Sequence, residues 1–331
     1  MTTLLPEPVL APADNRLTLT LSEQERREVA LLATQLAYTA PRLIDDPVWV
    51  EAARELSCRL PHRLQEVIRA YRHDPGEDGI LALRNLPVVE EELPFTPAVP
   101  DSVEREAAVP AAIAALVALN LGEIVAYHEE KFGALVQNVV PVPGRETSQS
   151  NAGSVPLELH VENAFHPHRP DFVGLLCLRN DRTRTAGTLV TSVRNTLGLL
   201  PEHVVEVLGQ PRFRTAPPPS FGSGDSGPVH PVFSGSPADP NVRVDFHATE
   251  ALDEEAGSAL TALRDAFLRT ARTLVLQQGE MAFVDNRVTL HGRTAFEPSY
   301  DGFDRWLHRT FVNLDNRRTR GRRPGNGSVL V

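Results

Sequence analysis

The sequence predicts a mainly β fold with helical decoration, on three observations. The first ~120 residues carry helical periodicity, the stretch after Leu121 breaks into short apolar runs bounded by Pro, Gly and Asn, and one strong helical pattern interrupts those runs late in the chain. Many short strands separated by turn signals argue for an antiparallel sandwich or barrel. Taken in order, Ser22 and Glu25 form a capping box ahead of Val29, Leu32 and Leu36, which share one helical face. A second helical stretch spans residues 48–71 with a break at Pro61, and a third spans 103–119. Between them, residues 80–86 read as a strand closed off by Gly79 and Pro87. Further strands are expected at 134–142, 155–162, 172–178, 188–193, 242–246, 281–284 and 306–314. The late helix places Leu260, Leu263, Phe267, Ala271 and Leu274 on one face. Residues 213–237 are rich in Pro, Gly and Ser and cannot bury a core. They are expected to form a long loop acting as a lid; an interdomain linker is the alternative, but the strands resume afterwards. The chain is therefore read as one domain over 1–331, with a mostly helical part at 1–125, a β core at 126–315 and a basic tail at 316–331.

Composition narrows the function. A net charge of −10 over 331 residues argues against nucleic-acid partners, which require a basic stripe to displace counterions. The one basic cluster, residues 317–323, is expected to be solvated or paired within the chain. No apolar run approaches the ~20 residues of a membrane span. Residues 1–6 lack the basic start and long apolar stretch of a secretory signal. Only Cys58 and Cys177 occur, far apart, which favours a reducing, cytoplasmic setting over a disulfide framework. Lysine appears once, at Lys131; nearly every other basic residue is arginine.

The chemistry concentrates in two segments about 130 residues apart, one holding His160 and Glu162 and the other, residues 284–293, holding His291. Two imidazoles and one carboxylate are the ligand set of the facial triad that binds Fe(II) and leaves positions open for a co-substrate and O₂. Any His-x-Glu pair alone is commonplace in a chain with 11 His and 43 Asp plus Glu. The order of the pieces and their strand-like surroundings give it weight. On a strand, residues two apart share a face, so His160 and Glu162 can converge on one ion. By the same period Arg305, Leu307, Arg309 and Phe311 share a face. Two arginines on an interior face must meet anions, and the planar fork of Arg305 suits the distal carboxylate of 2-oxoglutarate.

These segments, with residues 130–137, 151–154, 186–197, 213–221, 242–245 and 279–313, resemble the clavaminate synthase-like branch of the TauD/TfdA-related Fe(II)/2-oxoglutarate-dependent oxygenases. The resemblance covers most of residues 46–325 and is greatest to members that oxidise L-asparagine. It implies a double-stranded β-helix, or jelly roll, with His160, Glu162 and His291 as iron ligands and with 2-oxoglutarate held by Arg305 and Thr188. It further implies that Arg309 meets the substrate α-carboxylate, Glu130 the α-ammonium with Asn151 beside it, and Asp245 a nitrogen on the substrate side chain. One position departs from the pattern: Val161 stands between the proximal ligands, where the asparagine-oxidising members carry Asn and several arginine-acting relatives Thr.

The reading is thus a dioxygenase that uses Fe(II), 2-oxoglutarate and O₂ to hydroxylate a free L-amino acid, a small molecule, at Cβ. L-Asparagine is the first candidate, with L-arginine, L-lysine, ornithine and glutamine behind it, and the setting implied is antibiotic or other secondary metabolism. Two readings from other classes compete. A zinc hydrolase can use the same three ligands but has no need of Arg305 and Thr188, and a non-catalytic jelly-roll binding module needs neither ligands nor lid. His166 and His168 are read as loop or packing residues and not as further ligands.

Overall fold

A computed structural model describes residues 15–222 and 227–331. The chain opens with β1 (Thr18–Thr20), α1 (Glu23–Ala37), α2 (Pro47–Ser57), α3 (His62–His73), β2 (Ile80–Arg84), β3 (Val103–Glu104) and α4 (Val109–Leu121). Strands β4 (Glu123–Tyr127), β5 (Val136–Val139), β6 (Leu157–His160), β7 (Phe172–Arg179) and β8 (Thr188–Ser192) follow, then the short helices α5 (Val193–Thr196) and α6 (Glu202–Leu208). Next come β9 (Phe213–Thr215), β10 (Phe233–Ser236), β11 (Asp239–Val242), β12 (Thr249–Ala251) and α7 (Glu254–Thr270). The chain closes with β13 (Arg272–Leu274), β14 (Met281–Asp285), β15 (Thr289–Arg293), β16 (Trp306–Asn313) and β17 (Val329–Leu330).

A nine-stranded sheet runs β1-β2-β14-β7-β16-β4-β17, with β5 also on β16 and β3 on β5. A four-stranded sheet runs β13-β8-β15-β6. Three apolar clusters set the layers. Helices α1 to α4 pack on one face of the large sheet, where α4 is buried on nearly every side because it is apolar all round. The second cluster, with Val173, Leu175, Leu307 and Phe311 from the large sheet and Val190 and Leu274 from the small one, joins the two sheets. The third packs α6 and α7 against Leu290 and Leu159 of the small sheet. Alternation along β16 therefore splits its side chains: Leu307, Arg309 and Phe311 point between the sheets, while Trp306 and Val312 point to the helices.

Local signals explain the element ends. Ser22 caps α1 by accepting from the Glu25 backbone N–H while the Glu25 carboxylate accepts from Ser22, the reciprocal box read from sequence. The third helix begins at Val109, not 103, because Pro110 fits only the first turn, and Val103 and Glu104 instead pair with β5. The late helix ends at Thr270: Ala271 is extended, and Leu274 belongs to β13 on β8. Residues 243–246 do not continue a strand; Asp245 makes one isolated bridge, to His160. Strand β6 stops at His160, so Glu162 lies beyond the ladder. Within 213–237 both ends are anchored, with Phe213, Val232 and Phe233 buried, and residues 223–226 of the expected lid, like residues 1–6, fall outside the described residues. In the basic tail Arg317 pairs with Asp315, and Arg323 donates to the carbonyls of Asn316, Asn326 and Gly327. No described helix is long and apolar enough to cross a membrane.

Gly174 sits on β7 between Phe283 of β14 and Thr310 of β16. A Cβ there would lie 2.6 Å from Thr310 Oγ1 and 2.7 Å from Phe283 Cε1. Gly174→Ala is expected to destabilise the fold by about 1–3 kcal/mol through overpacking. Urea denaturation checks this, and an unchanged midpoint would show that the sheet yields at this point.

Candidate active site

Antiparallel pairing of β15 with β6 sets His291 opposite His160, with ring centroids 4.4 Å apart. Glu162 reaches them from outside the ladder. The Val161 N–H donates to the Val244 carbonyl, which keeps the chain extended past His160, and Asn163 then turns it with a φ of 52°. One ligand atom from each of His160, Glu162 and His291 lies within 4.8 Å of the others, the only such group among the described residues. His160 Nδ1 lies 2.8 Å from the Glu158 carbonyl oxygen, so Nδ1–H donates and Nε2 keeps its lone pair. His291 Nε2 is 3.4 Å from Glu162 Oε2, and its Nδ1 is buried with no hydrogen-bond partner among the described residues. Two imidazole nitrogens and a carboxylate, converging and largely sheltered from water, fit a divalent transition metal.

The carboxylate of Glu162 is shared with Arg309, whose Nη1 donates to Oε1 at 2.9 Å. That guanidinium also donates to Glu130 and to Gln137. With its amide oxygen turned toward Arg309, Asn151 accepts from both terminal nitrogens at 3.1 Å. The Arg309 guanidinium lies 4.6 Å from the centroid of the Phe311 ring. One cation thus sits between two buried acids. Burial pushes the Glu162 carboxyl up, but Arg309, His291 and His160 outweigh it and hold the group well below the usual carboxylate range. Glu130 goes the other way, because burial with repulsion from Glu162 exceeds the pull of Arg309.

His160, Glu162, Glu130, Asn151, Asp245, Val161 and Arg309 all line one cavity of about 650 Å³. Asp245 Oδ1 accepts from the backbone N–H groups of His247 and Ala248. Residues 216–221 form another wall. Thr188 and Arg305 do not line this cavity. Thr188 is buried on β8 opposite Arg293 of β15, and Arg305 is buried one residue before β16. Arg305 has no hydrogen-bond or ion-pair partner among the described residues; its guanidinium lies 5.9 Å from the Phe296 ring centroid, and burial lowers its pKa. A buried cation with no ion-pair contact, on which Asp181 acts only from a distance, is a place for an anion.

Sequence reading missed two cavity neighbours. Gln137 lies opposite Arg309 in the β5–β16 register, a non-local pairing with no local signal. Lys131 lines the cavity and donates from Nζ to the carbonyls of Ser102 and Asn138; burial, with Arg309 nearby, pushes it down to about 7. Its uniqueness in an arginine-rich chain was the available clue.

The description of the taurine catabolism dioxygenase TauD, TfdA family matches residues 47–311. L-Asparagine oxygenase of Streptomyces coelicolor is 50% identical over 317 residues, spanning 96% of this chain and 95% of the relative. Clavaminate synthase 2 of Streptomyces clavuligerus is 34% identical, spanning 88% and 90%. A crystal structure of asparagine oxygenase with Fe(II), (2S,3S)-3-hydroxyasparagine and succinate superposes with a TM-score of 0.92 at 51% identity, covering 95% of this chain and 98% of that one.

Removing the shared cation should expose the two acids to each other. In metal-free protein, Arg309→Gln is expected to cost about 3–5 kcal/mol at pH 7, the usual loss when one partner of a buried ion pair is removed. Without the guanidinium the folded-state pKa of Glu162 rises above its unfolded value, and that of Glu130, already raised, rises further. The folded variant then binds protons more readily, and part of the loss is regained as pH falls toward 5. Urea denaturation at pH 7 and pH 5 tests this: a deficit that is absent at pH 7, or that grows at pH 5, would mean the acids do not depend on Arg309.

Proposed function

We propose that this chain, which belongs to the taurine catabolism dioxygenase TauD, TfdA family, hydroxylates free L-asparagine at Cβ, with iron held by His160, Glu162 and His291. The chain is an Fe(II)- and 2-oxoglutarate-dependent dioxygenase of free amino acids. We take its two facing sheets as the double-stranded β-helix of the family, working in the cytoplasm, where Cys58 and Cys177 remain free thiols. The observation that carries the substrate reading is the Arg309–Glu130 pair, opposite charges buried together in the cavity that His160 and Glu162 also line.

When bound, Fe(II) with 2-oxoglutarate and O₂ supplies the oxidation, giving succinate, CO₂ and one oxygen atom inserted into a substrate C–H. The residues bind and orient. The lone Arg305 guanidinium takes the distal carboxylate of 2-oxoglutarate, with the Thr188 hydroxyl as a second donor. An amino-acid zwitterion enters by exchange: its α-carboxylate takes Arg309 with Asn151 alongside, and its α-ammonium takes Glu130. Each buried charge keeps a partner throughout, which limits the desolvation cost. Asp245 has one oxygen committed to backbone N–H groups and offers the other to a side-chain N–H. Residues 216–221 act as the lid that excludes water from the bound substrate. A longer basic side chain, as in L-arginine, L-lysine or ornithine, is the second reading. It is favoured by the apolar wall at Val161 and by the acids Asp101 and Asp245 in a roomy cavity.

The test is anaerobic reconstitution with Fe(II) and 2-oxoglutarate followed by air, with asparagine, aspartate, arginine, lysine and leucine in turn, reading succinate and the mass gain of one oxygen atom. Asparagine is expected to lead and the basic amino acids to follow. Leucine or aspartate as the best substrate would overturn the assignment of Asp245. Arg305→Lys replaces a bidentate fork by a point charge and is expected to raise the 2-oxoglutarate requirement about tenfold, with a smaller change for the amino acid. Equal requirements in variant and wild type would place the co-substrate anchor elsewhere.

A further inference from the structure

Glu162 has an unusual backbone setting for a ligand. Strand β6 ends at His160, the chain turns at Asn163, and the Glu162 N–H and C=O are left without a neighbouring strand. A side chain takes the strand's place. Asn286, wholly buried in the turn between β14 and β15, accepts from the Glu162 N–H through Oδ1 at 2.7 Å. Its Nδ2 donates to the Glu162 carbonyl at 3.0 Å and to the Pro170 carbonyl at 2.9 Å. An amide side chain presents one acceptor and one donor in the same plane, so it reproduces what a paired strand residue would offer. The Asn286 backbone is itself fixed, since its N–H donates to the carbonyl of Asp171.

We propose that Asn286 is a positioning residue for the metal carboxylate, locking the Glu162 backbone so that the carboxylate meets the two imidazoles. The proposal rests on the reading of Glu162 as a metal ligand. Asn286 lies five residues before His291 in the same segment, so one turn fixes the distal histidine and the proximal carboxylate together. The Val161 N–H on the Val244 carbonyl holds the chain just before Glu162, but without Asn286 the Glu162 peptide groups themselves have no partner, and the carboxylate would choose between its two neighbours, Arg309 and His291. Loss of the clamp leaves the carboxylate with Arg309 and costs the metal a ligand.

The experiment titrates metal-free protein with Co(II), a spectroscopic stand-in for Fe(II), by calorimetry and by visible absorption. Four variants are compared with wild type: Asn286→Ala, Asn286→Asp, Glu162→Ala and Val29→Ala, the last a destabilised control in the helical layer. Asn286→Ala is expected to weaken Co(II) binding about tenfold or more, as loss of a group that orients a ligand does, and to alter the absorption bands. Asn286→Asp keeps the acceptor and the shape but turns an oxygen toward two carbonyls; it should change in the same direction, and it carries the test if the alanine variant does not fold. A merely structural role would lower the melting temperature of Asn286→Ala, as of Val29→Ala, and leave the Co(II) affinity and bands of the folded protein at wild-type values. That result overturns the proposal. If Glu162→Ala binds Co(II) as wild type does, the ligand assignment itself fails, a separate outcome that also removes the ground for a clamp.

Discussion

Everything in the site depends on one register, His291 of β15 opposite His160 of β6. A slip of one residue would carry His291 to the far face and leave no metal centre, because side chains on a strand alternate. The register is pinned from the other side, where β15 pairs with β8 without interruption from Thr289↔Ser192 to Arg293↔Thr188. On the β6 side the pairing is irregular, with Arg293 opposite Leu157. The backbone crowds in at this point: a Cβ on Gly292 would lie 2.6 Å from the Leu157 carbonyl oxygen. Glycine after the distal histidine is therefore a requirement of the close strand approach.

Charge is the second constraint, and the two arginines that share an inward face meet it differently. Arg309 is saturated by Glu162, Glu130 and Gln137, whereas Arg305 is buried with no ion-pair partner among the described residues. A saturated pair is suited to exchange with a zwitterion, because both charges it releases find new partners. A guanidinium without a direct partner is suited to an incoming dianion, because binding supplies the contact that Asp181, acting only from a distance, does not. The spacing of Arg305 and Arg309 determines that both point inward, but their different states follow from acids contributed by distant segments.

The same boundary separates what was legible in the sequence from what was not. The α1 cap, the break at Pro61 and the inward face of β16 follow from local periodicity and turn chemistry, and the structure has them. The His-x-Glu spacing pointed to convergence, yet the reason offered, a continuous strand through Glu162, is not how the protein achieves it. Non-local backbone pairing and the Asn286 amide supply that convergence, and neither leaves a pattern in a window of ten residues. Ala271 and Leu274 continue the apolar spacing of α7 but are taken by an edge pairing with β8, a case of tertiary contact overriding helical periodicity.

The two halves of the cavity are consequently built to different standards. The histidine ligands sit on a hydrogen-bonded ladder, where any movement breaks several backbone bonds at once. The groups proposed to meet the substrate, Arg309 of β16 apart, lie outside the regular strands. Glu130 precedes three successive residues with positive φ, Lys131 at 47°, Phe132 at 58° and Gly133 at 69°, a conformation costly for the first two. That turn is held by Arg105 donating to the Phe132 carbonyl at 2.9 Å, by the pairing of Arg105 with Asp45, and by the Lys131 ammonium. Asn151 and Asp245 likewise stand outside regular strands. Residues held by a few side-chain contacts can be exchanged or shifted without disturbing the sheet. In the proposed reading the two histidine ligands are thus fixed by strand register, while the groups assigned to the amino acid, Arg309 apart, rest on loops that can vary independently of it.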